Sequence, residues 1–119
     1  MSHTILIAED DKFLAETIAA SLQDHGQETR IALNGEYAIE AMDLQQPAIL
    51  LLDLLMPVVD GHGVLKHYKE KGYTFPVIML SNLSDDVNKE SCKEMGAKDY
   101  FIKSDMDEDD LWPIVEKYL

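Results

Sequence analysis

Cysteine is nearly absent from this sequence: Cys92 is the only one among 119 residues. An intrachain disulfide is therefore impossible, which suits a reducing compartment such as the cytoplasm. The sequence also has no apolar run near the roughly 20 residues that a membrane-spanning helix needs, and its N-terminus lacks the pattern of a secretion signal. We therefore expect a cytoplasmic protein with no membrane partner.

Basic residues are also scarce, with 10 Lys and Arg against 23 Asp and Glu, a net charge of -13. Such a charge repels nucleic acids and anionic membranes, and it favours cations or basic protein surfaces as partners. We therefore expect no direct binding to nucleic acid. The length fits one domain, residues 1–119, without an output domain.

The apolar run at residues 48–52 has no polar alternation and ends at Asp53. This pattern predicts a strand covered on both faces, as strands in parallel sheets are. Similar short runs predict strands at residues 5–8, 29–33, 77–80 and 99–103, and helical patterns alternate with them. In the first helix Phe13, Leu14, Ile18 and Leu22 recur at helical spacing. Five strands alternating with five helices predict an α/β fold, a parallel sheet with helices on both faces.

Capping residues and proline predict where some of the helices begin. Asn34 is a plausible N-cap of the second helix, and Ser84 begins the fourth. Pro113 is tolerated only in a first turn, so the last helix either starts near Asp110 or starts earlier and bends.

Polar residues follow four of the predicted strands: Glu9 and Asp10 after the first, Asp53 at the end of the third, Ser81 after the fourth and Lys103 at the end of the fifth. If these four strands are neighbours, the side chains converge on the edge of the sheet where ligands bind in open α/β folds. Clustered carboxylates repel one another unless a cation or a proton joins them. An all-oxygen set favours Mg²⁺, or Mn²⁺ as a close substitute.

The lysine and the hydroxyl add what a transferring phosphoryl group requires, a cation for its charge and a donor for an equatorial oxygen. One carboxylate must then be the nucleophile. Asp53 is the best candidate, because it stands alone on the central strand while Glu9 and Asp10 are adjacent and suited to the metal.

The acidic turn, the loop at residues 53–61, Ser81 and Lys103 together resemble the receiver domain of two-component response regulators, over essentially the whole chain and in the stand-alone, chemotaxis-regulator-like form. The resemblance implies a flavodoxin-like, doubly wound sheet with strand order 2-1-3-4-5. It also implies that Asp53 accepts a phosphoryl group from a histidine kinase or a histidine phosphotransfer protein. Ser81 and Lys103 match the hydroxyl and the lysine that contact this group.

The resemblance further implies that Glu9, Asp10 and Asp53 hold Mg²⁺, and that Tyr100 is a switch residue that follows Ser81. The face formed by helix four, strand five and helix five is then the readout surface for a downstream protein. In the family the side chains at the positions of Leu55 and Leu83 flank the path of an attacking water, so the resemblance implies slow self-dephosphorylation and no enzymatic turnover. The family usually has proline where this chain has Ser104, so we expect a trans Lys103–Ser104 peptide.

Three other functions would account for parts of the same pattern. A flavin carrier of this fold would place its phosphate beside the acids after strand one, which would repel it. A phosphatase with a nucleophilic aspartate would need a general acid where this chain has Leu55. A receiver-like interaction module that is never phosphorylated stays open as the alternative function, and Tyr100 as a simple packed aromatic stays open beside its switch role.

Overall fold

The computed structural model describes residues 4–81, 86–103 and 110–119, and of residues 86–88 the backbone alone. Within these ranges the chain forms five strands and five helices in strict alternation. They are β1 (Thr4–Ala8), α1 (Lys12–Gln23), β2 (Glu28–Ala32), α2 (Gly35–Leu44), β3 (Ile49–Asp53), α3 (Gly61–Glu70), β4 (Val77–Ser81), α4 (Asp86–Glu94), β5 (Asp99–Ile102) and α5 (Leu111–Glu116). The sheet is parallel with order β2-β1-β3-β4-β5, which confirms the predicted flavodoxin-like fold.

β3 lies at the centre of the sheet, and all five of its residues are buried. It pairs with β1 on one side, where Leu51 is opposite Ile7, and with β4 on the other, where Asp53 is opposite Leu80. Because the strands are parallel, their carboxyl ends share one edge of the sheet. The predicted site residues follow these ends.

Alternate residues of the strands face two separate cores. On one face, Leu50, Leu52 and Met79 pack with apolar side chains of α2, α3 and α4. On the other face, Ile7, Leu51 and Ile78 pack with apolar side chains of α1 and α5. The helices therefore cover both sides of the sheet.

Side chains cap three of the helices at their first turns. Asn34 accepts the Tyr37 N–H at 2.8 Å, which confirms the predicted cap of α2. Asp11 caps α1 through the Leu14 N–H at 3.1 Å, and Asp60 caps α3 in the same way through the Gly63 N–H. α5 begins at Leu111, so Pro113 lies in its first turn, where its missing N–H leaves no gap in the helix.

α1 forms where the spacing of apolar residues predicts the first helix, and its buried face includes only some of those residues. Phe13 has 80% of its surface exposed, whereas the buried residues are Ala15, Ile18, Ala19 and Leu22. Phe13 therefore belongs to the pattern that predicts the helix without lying on its buried face. Close packing of α1 on the sheet selects the stripe with small residues instead.

Several predictions concern residues outside the described ranges: the start of α4 at Ser84, the placement of Leu83, and the geometry of the Lys103–Ser104 peptide. In the ranges that are described, every helix is too short or too polar to cross a membrane.

Candidate functional site

The turn after β1 carries three consecutive acids with different surroundings. Glu9 is 2% exposed, and its backbone N–H donates to Ala32 O at 3.0 Å, so it continues the pairing of β1 with β2. Asp10 is exposed, and Asp11 is occupied in capping α1. The Asp11 N–H also donates to Glu9 Oε1 at 3.2 Å. Glu9 is therefore held in place, while Asp10 is open to solvent.

Asp53 ends the central strand and is 4% exposed. Its Oδ1 accepts the Leu55 N–H in a long contact of 3.4 Å. The loop that follows returns to the end of β3, where the Gly61 N–H donates to Leu54 O at 2.8 Å. A Cβ atom at Gly61 would lie 2.6 Å from the Asp53 carbonyl oxygen, so this close approach requires glycine.

β4 and β5 bring Ser81 and Lys103 to the same edge. Ser81 is 1% exposed, and its carbonyl oxygen accepts the Lys103 N–H at 2.9 Å. The Lys103 Nζ atom then donates to Glu9 Oε2 at 2.7 Å and lies 3.4 Å from Asp53 Oδ1. Lys103, which follows β5, therefore contacts both Glu9, which follows β1, and Asp53, which ends β3.

The structure brings three of the predicted site residues into one acidic cluster: ligand oxygens of Glu9, Asp10 and Asp53 all lie within 4.8 Å of one another. Two of these acids are buried and one is exposed. Three carboxylates with an open side suit a hard divalent cation that keeps several waters, which is the coordination that Mg²⁺ prefers. The residues present therefore fit Mg²⁺.

The pKa of the Asp53 carboxyl is raised to about 7, first by burial and then by the negative charge of Glu9. The Lys103 charge and the Leu55 N–H act in the opposite direction. For Lys103, burial alone would lower the pKa of the ammonium, but its hydrogen bond to Glu9 and the charge of Asp53 outweigh burial, and its pKa is raised. The protein without metal therefore holds one charged lysine against carboxylates that repel each other.

Two further predicted residues lie near this edge in the described part. Leu55 has 61% of its surface exposed, so at rest it does not cover Asp53 in the way that a buried side chain would. Tyr100 lies on β5 and is half-buried, with the Lys89 Nζ atom 5.9 Å from its ring centre. Their functional roles, and those of Glu9, Asp10, Asp53, Ser81 and Lys103, stay predictions.

Sequence reasoning missed two features that shape the site. It did not predict Asp11 as a helix cap, although Asp directly before a helical pattern is a standard N-cap signal. It also did not pair Glu9 with Lys103, because residues 94 positions apart give no local signal of contact.

Comparison with known proteins gives one consistent family. Residues 5–116 match the model of the response regulator receiver domain. The chain is 32% identical over 102 residues to the transcriptional regulatory protein RstA of Escherichia coli, a match covering 86% of this chain and 42% of the relative. It thus spans less than half the length of that relative.

Solved structures agree. The receiver domain of the Francisella response regulator 1452 superposes with a TM-score of 0.92 at 29% identity, covering 98% of this chain and 96% of that one. The chemotaxis protein CheY4 of Vibrio cholerae shares the fold, with a TM-score of 0.91 at 22% identity over the full length of both chains. The chain therefore belongs to the response regulator receiver domain family.

Proposed function

We propose that Asp53 accepts a phosphoryl group from a phosphohistidine of a histidine kinase or a histidine phosphotransfer protein, and that the reaction requires Mg²⁺ or Mn²⁺. The observation that carries this proposal is the position of one buried carboxylate, Asp53, at the end of β3, 3.4 Å from a lysine ammonium and beside two further acids. Family membership supports a phosphoacceptor role, and the geometry supports this residue for it.

In the proposed reaction an Asp53 carboxylate oxygen forms a bond to phosphorus as the bond between phosphorus and the imidazole nitrogen breaks. The P–N electron pair returns to the ring, and the imidazole leaves as the neutral ring because its other nitrogen already carries a proton. Because only the ionised carboxylate is a nucleophile, a pKa near 7 would limit the reaction, and positive charge at the site promotes it.

Glu9, Asp10 and Asp53 would hold the divalent cation, which supplies positive charge for the phosphoryl oxygens. The Lys103 ammonium already lies between Glu9 and Asp53, so it adds a fixed positive charge with no reorganisation. Ser81, buried at the end of β4, is the hydroxyl that would donate to a phosphoryl oxygen. These residues stabilise charge and position the acceptor.

The output of this modification would be read by another protein, through docking or phosphoryl relay. Hydrolysis would remove the phosphoryl group from Asp53 slowly, and the protein would turn over no separate substrate. A rotation of Tyr100 that follows Ser81 would change the surface of α4, β5 and α5.

Intact-mass measurement tests the assignment. The parent protein, incubated with acetyl phosphate and Mg²⁺, should gain one phosphoryl group. Asp53→Asn should gain none, and excess chelator should prevent the gain in the parent. A gain that persists in Asp53→Asn would refute Asp53 as the acceptor, and no gain with acetyl phosphate or a kinase would favour the interaction module that is never phosphorylated.

A further inference from the structure

Two buried side-chain atoms have no hydrogen-bond partner within the described ranges, Gln27 Oε1 and Arg30 Nε. Buried polar groups are nearly always paired, so each such atom calls for an explanation. One of the two is an acceptor and the other is a donor. Both side chains line the same cavity. The described residues therefore leave the polar network around this cavity incomplete.

The cavity lies where β1 and β2 begin and has a volume of about 470 Å³, within the range of roughly 300 to 1,000 Å³ that small-molecule sites occupy. Two of its lining residues are Thr4, the first residue of β1, and Glu28, the first residue of β2, which pair with each other. We call it the β2 cavity. Because the strands are parallel, it lies at the opposite edge of the sheet from Asp53. Its occupancy therefore does not require access to the phosphoacceptor.

The end of α2 holds the Arg30 guanidinium beside the cavity. Arg30 Nη1 donates to Ala41 O at 3.2 Å, and Arg30 Nη2 donates to Gln45 O at 2.7 Å. A guanidinium carries five N–H donors, so three remain, including the Nε–H. Both partners are neutral carbonyl groups, and no acid of the described ranges forms an ion pair with Arg30. The positive charge is therefore fixed in position and is not neutralised by an ion pair.

Glu28 supplies a negative charge to the same cavity. It lies two positions before Arg30 on β2, so the two side chains leave the same face of the strand. Glu28 is exposed, and its only hydrogen bond among the described residues is a long one of 3.5 Å from the Thr4 hydroxyl. The β2 cavity thus presents donors for an anionic group at Arg30, and acceptors for a cationic group at Glu28 and Gln27 Oε1. The charges of its lining cancel.

The rest of the lining is polar and uncharged, with Gln23, Thr29 and Gln45. Gln23 Nε2 donates to Thr29 Oγ1 at 2.8 Å, which fixes one wall of the cavity. Among the described residues no aromatic or large aliphatic side chain lines the cavity. Most cofactor and drug sites are mainly apolar, so this lining favours a small ligand that is polar throughout.

We propose that the β2 cavity binds a free α-amino acid with a polar side chain, its carboxylate on the remaining Arg30 donors and its ammonium on Glu28 and Gln27 Oε1. A zwitterion has both charged groups and no net charge, so the net charge of -13 does not repel it. A simple anion such as phosphate would be repelled and would leave Gln27 Oε1 without a donor. The proposal goes beyond phosphorylation of Asp53 and requires no metal.

Isothermal titration calorimetry on the full chain tests the proposal with L-glutamine. We expect saturable binding in the millimolar range or tighter, equal in Mg²⁺ and in chelator because the cavity is remote from the acidic cluster. N-acetyl-L-glutamine, which lacks the ammonium, and the α-amide of L-glutamine, which lacks the carboxylate, should each bind about tenfold more weakly or worse, a change of about 1.4 kcal/mol. L-leucine should also bind more weakly. Failure of L-glutamine, L-asparagine and L-serine all to saturate, or equal binding of the acetylated and amidated forms, would overturn the proposal.

A charge-removing variant and amide chemical shifts locate the binding site. Glu28→Gln should weaken the binding of L-glutamine about tenfold. The matched control is Glu16→Gln, an exposed position on α1 that changes the net charge equally and does not line the cavity. Unchanged affinity in Glu28→Gln, or an equal loss in the control, would overturn the assignment. In ¹⁵N-resolved spectra of the parent, L-glutamine should shift the amides of β2, and shifts concentrated at Asp10 and Asp53 instead would place the ligand at the acidic cluster and refute the β2 cavity.

Discussion

The ammonium of Lys103 lies 2.7 Å from the carboxylate of Glu9, joining the end of β5 to the turn after β1 across two intervening strands. Both side chains are largely buried, with 16% and 2% of their surfaces exposed. Removing one partner of a buried ion pair strongly destabilises the protein, because the remaining charge stays buried without its partner.

Lys103→Met should therefore lower the free energy of unfolding by about 3 kcal/mol in the absence of divalent cation at neutral pH. Urea denaturation with a chelator present measures it. Lys98→Met is the matched control, since Lys98 is exposed and forms no ion pair within the described ranges. Equal stability of parent and Lys103→Met would mean that the pair contributes nothing.

Mg²⁺ should raise the melting temperature, because a ligand of the native state stabilises it by about 2.7 kcal/mol at a concentration one hundred times its dissociation constant. Asp10→Asn should remove much of this effect, since Asp10 is one of the three clustered acids. Asp24→Asn, an exposed acid at the end of α1, serves as the control and should keep the full response. Indifference of the parent to millimolar Mg²⁺ would contradict a shared metal site.

Stability without metal should depend on pH through Asp53. Its native pKa of about 7 lies above the ordinary 3.8, so the native state binds the extra proton between these values. The contribution of Asp53 to stability is thus fully present below about pH 4 and is lost as the pH rises through about 7. Asp53→Asn should be more stable than the parent by roughly 2 to 4 kcal/mol near pH 8.5, and the difference should shrink near pH 5.

Urea denaturation in chelator at both pH values measures this difference, and comparison with the variant separates Asp53 from the other acids. A difference that does not change with pH would refute a raised pKa for Asp53.

Gly61→Ala should destabilise the protein by about 1 to 3 kcal/mol and slow the modification of Asp53, because the new methyl group would meet backbone atoms of Asp53 and Leu54 at 2.6 and 2.7 Å. Gly63→Ala is the control, since its close neighbour is the movable side-chain atom Val59 Cγ1. Thermal melts and the rate of mass gain with acetyl phosphate measure the two effects. If the two variants have the same stability and the same rate of mass gain, the close contact of Gly61 with the Asp53 backbone does not require glycine.

The lifetime of the phosphorylated form should be long, because Leu55 offers no hydrogen bond to an attacking water, and neither does Leu83. Leu55→Asn combined with Leu83→Glu should speed the loss of the phosphoryl group about tenfold, a change of about 1.4 kcal/mol in the barrier. The decay is followed in Mg²⁺ after removal of the donor. Equal decay of parent and variant would show that these side chains do not set the lifetime.

Much of the fold was predictable because its signals are local. The run at residues 48–52 reads as a buried parallel strand, and Asn34 caps the helix that it was predicted to cap. Local spacing does not determine which face of a helix is buried: in α1 Phe13 is exposed, whereas Ala15 packs on the sheet.

For the site, the sequence predicts which strand ends meet, but it does not predict the side-chain contacts there. Topology brings Glu9, Asp53 and Lys103 to one edge, but the choice of Glu9 as the nearest partner of the lysine depends on side-chain conformations. The left-handed backbone of Val58, with φ of 70°, gives no signal at all in the sequence, because valine rarely adopts it.

The 94 positions that separate Glu9 from Lys103 also bear on the order of folding. During synthesis β1 and β3 emerge long before β5, so an intermediate that pairs only the early strands would bring Glu9 and Asp53 together with no lysine beside them. Such an intermediate would bury unpaired charge and be disfavoured. Docking of β5 therefore stabilises the centre of the sheet as well as its edge, and we expect the last strand to join the cooperative unit rather than fray from it.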